Sequence, residues 1–145
     1  MNELLVMAQI AGRRCAMPAH EVQSVIEITA ITPVPKAPPH IVGITAMRSQ
    51  ALTVIDARCA LGFDPDSYPL DDRAIVIAWQ GHSYALRIDT IEDIATGVGE
   101  PTSVPGGFGA KWTRAAGGMI ETRSGPALLV DPGALVEPSR SERAA

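Results

Sequence analysis

An internal repeat constrains the fold of this chain more than any other feature of its sequence. Six positions recur 69 residues later: Gly12, Ala16, Met17, Val22, Gln23 and Val25 correspond to Gly81, Ala85, Leu86, Ile91, Glu92 and Ile94. Six more recur 75 residues later: Gly43, Arg48, Ser49, Val54, Ile55 and Asp56 correspond to Gly118, Arg123, Ser124, Leu129, Val130 and Asp131. Because glycines, an Arg-Ser pair and an aspartate keep their spacing, the pattern favours two similar halves over chance similarity among apolar strands.

Short segments rich in valine and isoleucine lie between turn residues in both halves. Eight are predicted strands, at residues 4–10, 24–28, 41–47, 51–55, 74–79, 83–88, 119–121 and 127–130. Gln80-Gly81 and Arg123-Ser124-Gly125 are predicted hairpin turns, since each offers a glycine for positive φ. About five short strands per half can close into a barrel without free edges. The sequence therefore predicts an all-β fold of two barrels packed side by side, with a groove between them as the binding surface.

Helical segments are expected to be single turns, at residues 19–23, 56–61 and 131–136. Asp56 and Asp131 are each placed to cap the helix that follows. Residues 32–39 contain four prolines and are predicted to be an extended connection, because proline lacks the N–H that a sheet ladder needs. Residues 95–114 are rich in glycine and proline and are the predicted mobile loop. The polar segment 137–145 is the predicted flexible tail.

Composition restricts the class of protein. The 145 residues are 46% hydrophobic and 19% charged, which is typical of one folded domain. The net charge of -4 and the lack of a Lys/Arg cluster argue against nucleic-acid binding. No apolar run reaches the roughly 20 residues of a membrane span, and the start lacks the basic flank of a secretory signal, so we expect a cytoplasmic protein without membrane insertion. Cys15 and Cys59 form no CxxC motif and are predicted to be buried free thiols.

Residues able to support catalysis or hold a cofactor do not form a convincing pattern. The three histidines, His20, His40 and His82, lack the short spacing of metal ligands. Residues 106–111 superficially resemble a phosphate loop but lack its GK[ST] ending. We therefore predict no catalytic residue, no metal and no cofactor, and a protein-binding role. Arg48 follows an apolar segment at a predicted hairpin turn, where its guanidinium could reach a partner carboxylate or turn back to a backbone carbonyl.

Several segments, taken together in order, resemble the CheW family of bacterial chemotaxis coupling proteins. In the first half they are Val22-Gln23-Ser24-Val25-Ile26, residues 32–38, Ile41-Val42-Gly43-Ile44-Thr45-Ala46-Met47-Arg48, residues 54–58 and Leu61-Gly62. In the second half they are residues 88–94 and Leu129-Val130-Asp131. The resemblance extends from about residue 4 to residue 136, which is almost the whole chain.

The resemblance implies two five-stranded SH3-like barrels, with the first strand joining the second barrel. The expected division is about 12–72 for barrel 1, and about 3–11 plus 73–136 for barrel 2. It further implies a non-catalytic adaptor that links the cytoplasmic tips of chemoreceptors to the regulatory domain of the histidine kinase CheA, in membrane-associated arrays. Partner-binding positions of the family correspond to Val22, Val25, Gly43 and Arg48, and the predicted set also includes the neighbouring Met47 and Ser49.

The chain departs from the family pattern at three places. The usual Asn-Leu-Arg-Gly is Ala46-Met47-Arg48-Ser49 here, so a serine replaces a turn glycine. Ser24 stands where an acidic residue is common, and Thr53 where proline is common. These changes suit a divergent adaptor that serves a particular receptor cluster or a non-motility chemosensory pathway, and they also suit simple drift. From another class of function, the rival prediction is a small enzyme with residues 95–114 as a lid, which would need converging titratable groups beside that loop.

Overall fold

A computed structural model describes residues 3–64, 70–103, 107 and 109–137. Ten strands make up most of this part of the chain: β1 Leu4–Ile10, β2 Arg13–Pro18, β3 Val22–Glu27, β4 Ile41–Met47, β5 Gln50–Asp56, β6 Arg73–Trp79, β7 His82–Arg87, β8 Thr90–Thr102, β9 Ala116–Thr122 and β10 Gly125–Val130. Two short helices follow β5 and β10, α1 at Ala57–Leu61 and α2 at Pro132–Val136, and a single 3₁₀ turn at Ala19–Glu21 precedes β3.

The strands form two five-stranded sheets, which confirms the predicted fold class. One sheet is a closed barrel in the order β1-β2-β10-β9-β8, called barrel A below. The other, called sheet B, has the order β3-β6-β7-β5-β4. Its end strands β3 and β4 do not pair with each other. Instead, Thr32 forms an isolated antiparallel bridge to Ile44, so the segment after β3 runs along the edge of β4.

The predicted division of the chain between the barrels is wrong at two places. Strand β2 lies in barrel A beside β1, and strands β6 and β7 lie in sheet B. The placement of the first strand with the last three is correct. The physical reason lies in the repeat: β1–β5 and β6–β10 are the two units, and each begins with a hairpin that pairs with strands of the other unit. Each sheet therefore combines one hairpin with three strands from the opposite half.

Equivalent parallel strand pairs occur in both sheets, as expected from the repeat. In barrel A, the parallel pair of β2 and β10 places Cys15 opposite Leu128. In sheet B, the parallel pair of β7 and β5 places Tyr84 opposite Thr53. These pairs occupy corresponding positions in the two units, at spacings of 69 and 75 residues. The repeat therefore extends to the register of the strands.

Side chains between the two sheets form the largest buried cluster of the molecule. Alternate residues of β1 explain its apolar sequence: Leu5 and Met7 point into barrel A, while Val6, Ala8 and Ile10 join the central cluster. A smaller cluster that includes Leu52, Val54 and Val76 fills sheet B. Because β1 is buried on both faces, its sequence is continuously apolar and does not alternate between apolar and polar residues.

Both predicted caps are confirmed. The Asp56 carboxylate accepts hydrogen bonds from the N–H groups of Arg58 and Cys59 at the start of α1. The Asp131 carboxylate accepts from the N–H of Gly133 at the start of α2. Each aspartate ends a buried strand and satisfies N–H groups that a helix start leaves free. Cys15 is a buried free thiol as predicted, while Cys59 is half-buried.

Sequence analysis missed strands β2 and β8. The sequence of β2 begins with two arginines, and that of β8 contains acidic residues and glycines, so neither shows an apolar pattern. The predicted mobile loop at 95–114 is therefore wrong over 95–102, which is the second half of β8. Within its remainder, Trp112 is buried beneath the Arg13 guanidinium, whose Cζ lies 5.3 Å from the ring centroid. Residues 104–106, 108 and the predicted tail from 138 onward lie outside the described residues.

Candidate partner-binding surface

Arg48 and Ser49 form the two-residue turn that joins β4 to β5. Met47 pairs with Gln50 across this hairpin, and the φ angles of Arg48 and Ser49 are 50° and 63°. Two positive φ values define the turn class that matches strand twist and that favours glycine at its second position. The β1–β2 and β6–β7 turns carry Gly12 and Gly81 there. Ser49 therefore holds a left-handed conformation without being a glycine, as the departure from the family pattern suggested.

The Arg48 side chain is exposed at this turn. Within the described part of the chain, it has no hydrogen-bond or ion-pair partner. The guanidinium does not donate a hydrogen bond to a backbone carbonyl of the described chain, which was one of its two predicted roles. Its five N–H donors face solvent. The contact with a partner carboxylate stays a prediction.

Gly43 lies at a bulge in β4, where the pairing with β5 shifts between Ile41 and Gly43. A Cβ atom at this position would lie 2.3 Å from the carbonyl oxygen of Thr32 and 2.7 Å from Ile31 Cγ2. The backbone of the 30–32 segment thus approaches β4 so closely that a side chain at Gly43 does not fit. Gly43 is buried and shapes the strand, and its role in partner binding stays a prediction.

The remaining predicted residues do not share one exposed face. Val22 is half-buried and packs against the central cluster. Val25 is 43% exposed and points to the opposite side of β3. Met47 is half-buried against the cluster that fills sheet B. The structure therefore groups Met47, Arg48 and Ser49 at one hairpin, places Val25 on the other end strand, and turns Val22 inward.

Exposed apolar residues that the sequence did not single out accompany this hairpin. Ile44 on β4 is 41% exposed and lies opposite Thr32, and Val34 follows two residues after Thr32. Thr45, by contrast, is buried, and its Oγ1 donates a 2.7 Å hydrogen bond to the carbonyl of Ala30. The bulge at Gly43 decides which face of the sheet each following residue of β4 occupies. As a result the apolar Ile44 is exposed and the polar Thr45 is buried, the reverse of what their polarity predicts. We call Val34, Ile44, Met47, Arg48 and Ser49 the β4 edge surface.

The central cluster fills the interior between the two sheets, and the predicted groove between the barrels stays a prediction. A cleft of about 300 Å³ lies within sheet B, where β5 and β7 diverge beyond their parallel pairing. Gln50, Ala51 and Thr53 line one side, and residues 81–84 line the other. The cleft begins one residue after the Arg48–Ser49 turn and is lined mainly by polar side chains.

The pKa values of Cys15 and Asp71 are shifted, and each shift has a structural cause. Burial raises the pKa of the Cys15 thiol to about 12, so this thiol stays protonated and unreactive at neutral pH. Desolvation alone would raise the pKa of Asp71, but hydrogen bonds from the Arg73 side chain and from the N–H groups of Ile91 and Arg73 lower it to about 2. Asp71 thereby joins the start of β6 to the start of β8, and so connects the two sheets.

Across 3–64, 70–103 and the described part of 107–137, no three His, Cys, Asp or Glu side chains are grouped closely enough to hold a metal ion. No helix in the described part of the chain is long and apolar enough to cross a membrane.

Taken together, the fold is that of a small protein made of two SH3-like five-stranded units, and the surface around β4 is a candidate for protein recognition. A family model described as "CheW-like domain" matches residues 4–139, and the chain belongs to this family. Among solved structures, the chain is similar to the scaffolding protein TtCheW from Thermoanaerobacter tengcongensis, with 20% identity, a TM-score of 0.76 and 94% of each chain covered. A search of curated proteins found no match.

Proposed function

We propose that this protein is a non-catalytic adaptor that couples the cytoplasmic tips of chemoreceptors to the regulatory domain of the histidine kinase CheA. It would act in the cytoplasm and be recruited to membrane-associated receptor arrays. The observation that carries this proposal is the match of the CheW-like family model to residues 4–139, which includes both sheets. The same adaptor role in a divergent, non-motility pathway is the alternative that the substitution at Ser49 leaves open.

The β4 edge surface supports the receptor half of the proposal. Its exposed Ile44 and Val34 offer apolar contact area, and the Arg48 guanidinium beside them has no partner within the described chain. A receptor tip is a helical hairpin, and helices bind to such surfaces through apolar residues at helical spacing, with a charged group fixing their orientation. An Arg side chain with five donors suits a carboxylate on the receptor helix.

Coupling by such an adaptor is positional and needs no covalent step. One face holds the kinase regulatory domain while another holds the receptor, so a conformational bias in the receptor changes the contacts available to the kinase. Individual contacts can be weak, because copies in an array bind several partners at once. The rigid central cluster between the sheets would keep the two faces in a fixed relation.

Calorimetric titration with a receptor tip fragment and with the kinase regulatory domain tests the proposal. We expect binding to both, and we expect Arg48→Glu to weaken receptor-tip binding by about tenfold or more by placing like charges in contact. Arg123→Glu is the matched control, since Arg123 occupies the same turn position in barrel A and is also exposed. It should leave receptor affinity unchanged.

Three results would count against the proposal. Binding to neither fragment would remove the coupling role. Equal weakening by Arg48→Glu and Arg123→Glu would show a general charge effect rather than a site at the β4 edge surface. Unchanged affinity of the Arg48 variant, with a circular dichroism spectrum matching the parent protein, would remove Arg48 from the receptor site.

A further inference from the structure

The repeat allows the cleft in sheet B to be compared with the equivalent place in barrel A. In barrel A, the gap between β2 and β10 is crossed by Arg14. Its Nη1 donates to the carbonyl oxygen of Ser124 at 2.5 Å, and its Nε lies 3.4 Å from Glu92 Oε1. A Cβ on Gly125 would lie 3.2 Å from the same Nη1, so the guanidinium covers the start of β10. A planar cation thus closes this end of barrel A.

Sheet B has the same arrangement without the cation. The residue corresponding to Arg14 is Ser83, and the residue corresponding to Glu92 is Gln23. Ser83 Oγ and Gln23 Oε1 are 3.2 Å apart and hydrogen-bonded, so the pair itself is retained. Serine is too short to cross to β5, and the cleft of about 300 Å³ occupies that space.

The side chains that line the cleft, which include His82, carry acceptors that can bind a guanidinium. Gln50, Thr53 and Ser83 offer neutral oxygen acceptors, and Tyr84 offers an aromatic ring. No lysine or arginine is among the lining residues. Arg48 lies on the adjacent turn, but Arg123 has the same place in barrel A, where the Arg14 guanidinium nevertheless binds.

We propose that the cleft between β5 and β7 is a binding site for an arginine side chain presented by a partner protein. The incoming guanidinium would take the place that Arg14 takes in barrel A, with acceptors from Gln50 and Ser83. Because Gln23 replaces the acidic Glu92, the site lacks a paired charge and is expected to be weak for a single side chain. The proposal does not depend on the receptor or kinase roles.

Nuclear magnetic resonance of the full chain, labelled with ¹⁵N, tests this site with N-acetyl-arginine methylamide as the probe. We expect saturable shifts at the amides of residues 50, 51 and 81–84, with a Kd of about 1–10 mM. The corresponding citrulline derivative has the same length without the charge and should bind at least several-fold more weakly. The N-acetyl-glutamate derivative should produce no saturable shift at these amides.

Two variants connect the response to the cleft. Ser83→Arg should abolish probe binding by filling the space from within, as Arg14 does. Ser83→Ala removes one acceptor but leaves the cleft open, so it should weaken probe binding without abolishing it. Gln23→Glu restores the acidic group found in barrel A and should tighten probe binding several-fold. This second variant keeps the test decisive if Ser83→Arg does not fold.

Specific outcomes would overturn the site. These are the absence of saturable shifts at the lining residues, equal binding of the arginine and citrulline derivatives, or preferential binding of the glutamate derivative. A folded Ser83→Arg protein that still binds the probe, or a Gln23→Glu protein with unchanged affinity, would do the same.

Discussion

At the scale of single residues, Ser49 shows how one substitution changes a turn without changing its class. The β4–β5 turn keeps two positive φ values although its second residue is a serine. A non-glycine residue in the left-handed region costs about 1 kcal/mol, because its Cβ approaches the following carbonyl oxygen. The fold therefore holds strain in the hairpin that carries Arg48, the residue on which the receptor proposal depends.

We expect Ser49→Gly to raise the free energy of unfolding by about 0.5–1 kcal/mol, since glycine adopts this conformation without strain. Urea denaturation followed by circular dichroism measures the change. Ser124→Gly is the matched control, because Ser124 holds the corresponding position in barrel A without a positive φ. It should give no gain, and equal stabilisation by both variants would contradict the role of backbone strain.

Asp71 gives a prediction for pH dependence. Its pKa in the folded protein, about 2, lies below the ordinary value of 3.8, so the folded state favours the charged form. This contribution is fully present above about pH 5 and is lost as the pH falls towards 2. We expect Asp71→Asn to lower stability at neutral pH by about 1 kcal/mol, since solvent screens the exposed Arg73 partner. Urea titrations at several pH values should show the difference from the parent protein shrinking below pH 4, and a constant difference would be inconsistent with this linkage.

At the scale of elements, a glycine at corresponding places in the two halves lets a neighbouring segment approach a strand closely. Gly43 in β4 and Gly118 in β9 occupy corresponding positions, and a Cβ would lie 2.3 Å and 2.8 Å from the carbonyl oxygens of Thr32 and Thr102. The backbone hydrogen bonds between Thr32 and Ile44 need this close approach. The glycine is repeated in both halves because a backbone carbonyl lies where a side chain would be. The sequence repeat alone does not reveal this reason.

We expect Gly43→Ala to lower the free energy of unfolding by about 2–3 kcal/mol, because the added methyl group overlaps a backbone oxygen that cannot move alone. Gly117→Ala is the control, since its Cβ would meet Leu129 at ordinary contact distances from 3.6 Å. Thermal or urea unfolding should show a change of less than about 1 kcal/mol for this control. Similar values for the two variants would mean that the segment at Thr32 is free to shift.

At the scale of the whole molecule, a buried ion pair joins the two sheets. Arg58 in α1 is 1% exposed, and its Nε lies 3.5 Å from Asp89 Oδ1. The Asp89 carboxylate also accepts hydrogen bonds from the N–H groups of Ala11 and Gly12 in the β1–β2 turn. One side chain thus connects the helix that follows sheet B with a hairpin of barrel A.

Removing Asp89 should leave the buried Arg58 guanidinium without its 3.5 Å partner, while the longer 4.0 Å contact with Asp56 remains. We expect Asp89→Ala to lower the free energy of unfolding by about 3 kcal/mol, measured by urea denaturation. Glu92→Gln is the control, because Glu92 pairs with Arg14 at a half-exposed position. It should lower the free energy of unfolding by less than about 1 kcal/mol. If the two variants cost the same, burial does not make the Arg58–Asp89 pair stronger than the half-exposed Arg14–Glu92 pair within barrel A.

Much of the fold followed from local features of the sequence. The repeat predicted two equivalent sheets, Asp56 and Asp131 predicted their helices, and Gln80-Gly81 predicted its turn. Strand β8 was missed because only Ala95 and Gly97 of its second half are buried, and these give no apolar pattern. Among the predicted site residues, Arg48 and Ser49 lie at an exposed turn, whereas the inward position of Val22 depends on the central cluster.

The sequence by itself determined the repeat of the two halves, the helix caps, the Gln80-Gly81 turn and the family, because these depend on neighbouring residues and on spacing along the chain. Only the tertiary structure decided which hairpin joins which sheet, that Arg58 and Asp89 meet, and that a cleft replaces Arg14 in sheet B. Each of these depends on contacts between residues far apart in the sequence, and two similar halves offer two equally good partners for every hairpin. The choice between those partners belongs to the packing of the whole chain.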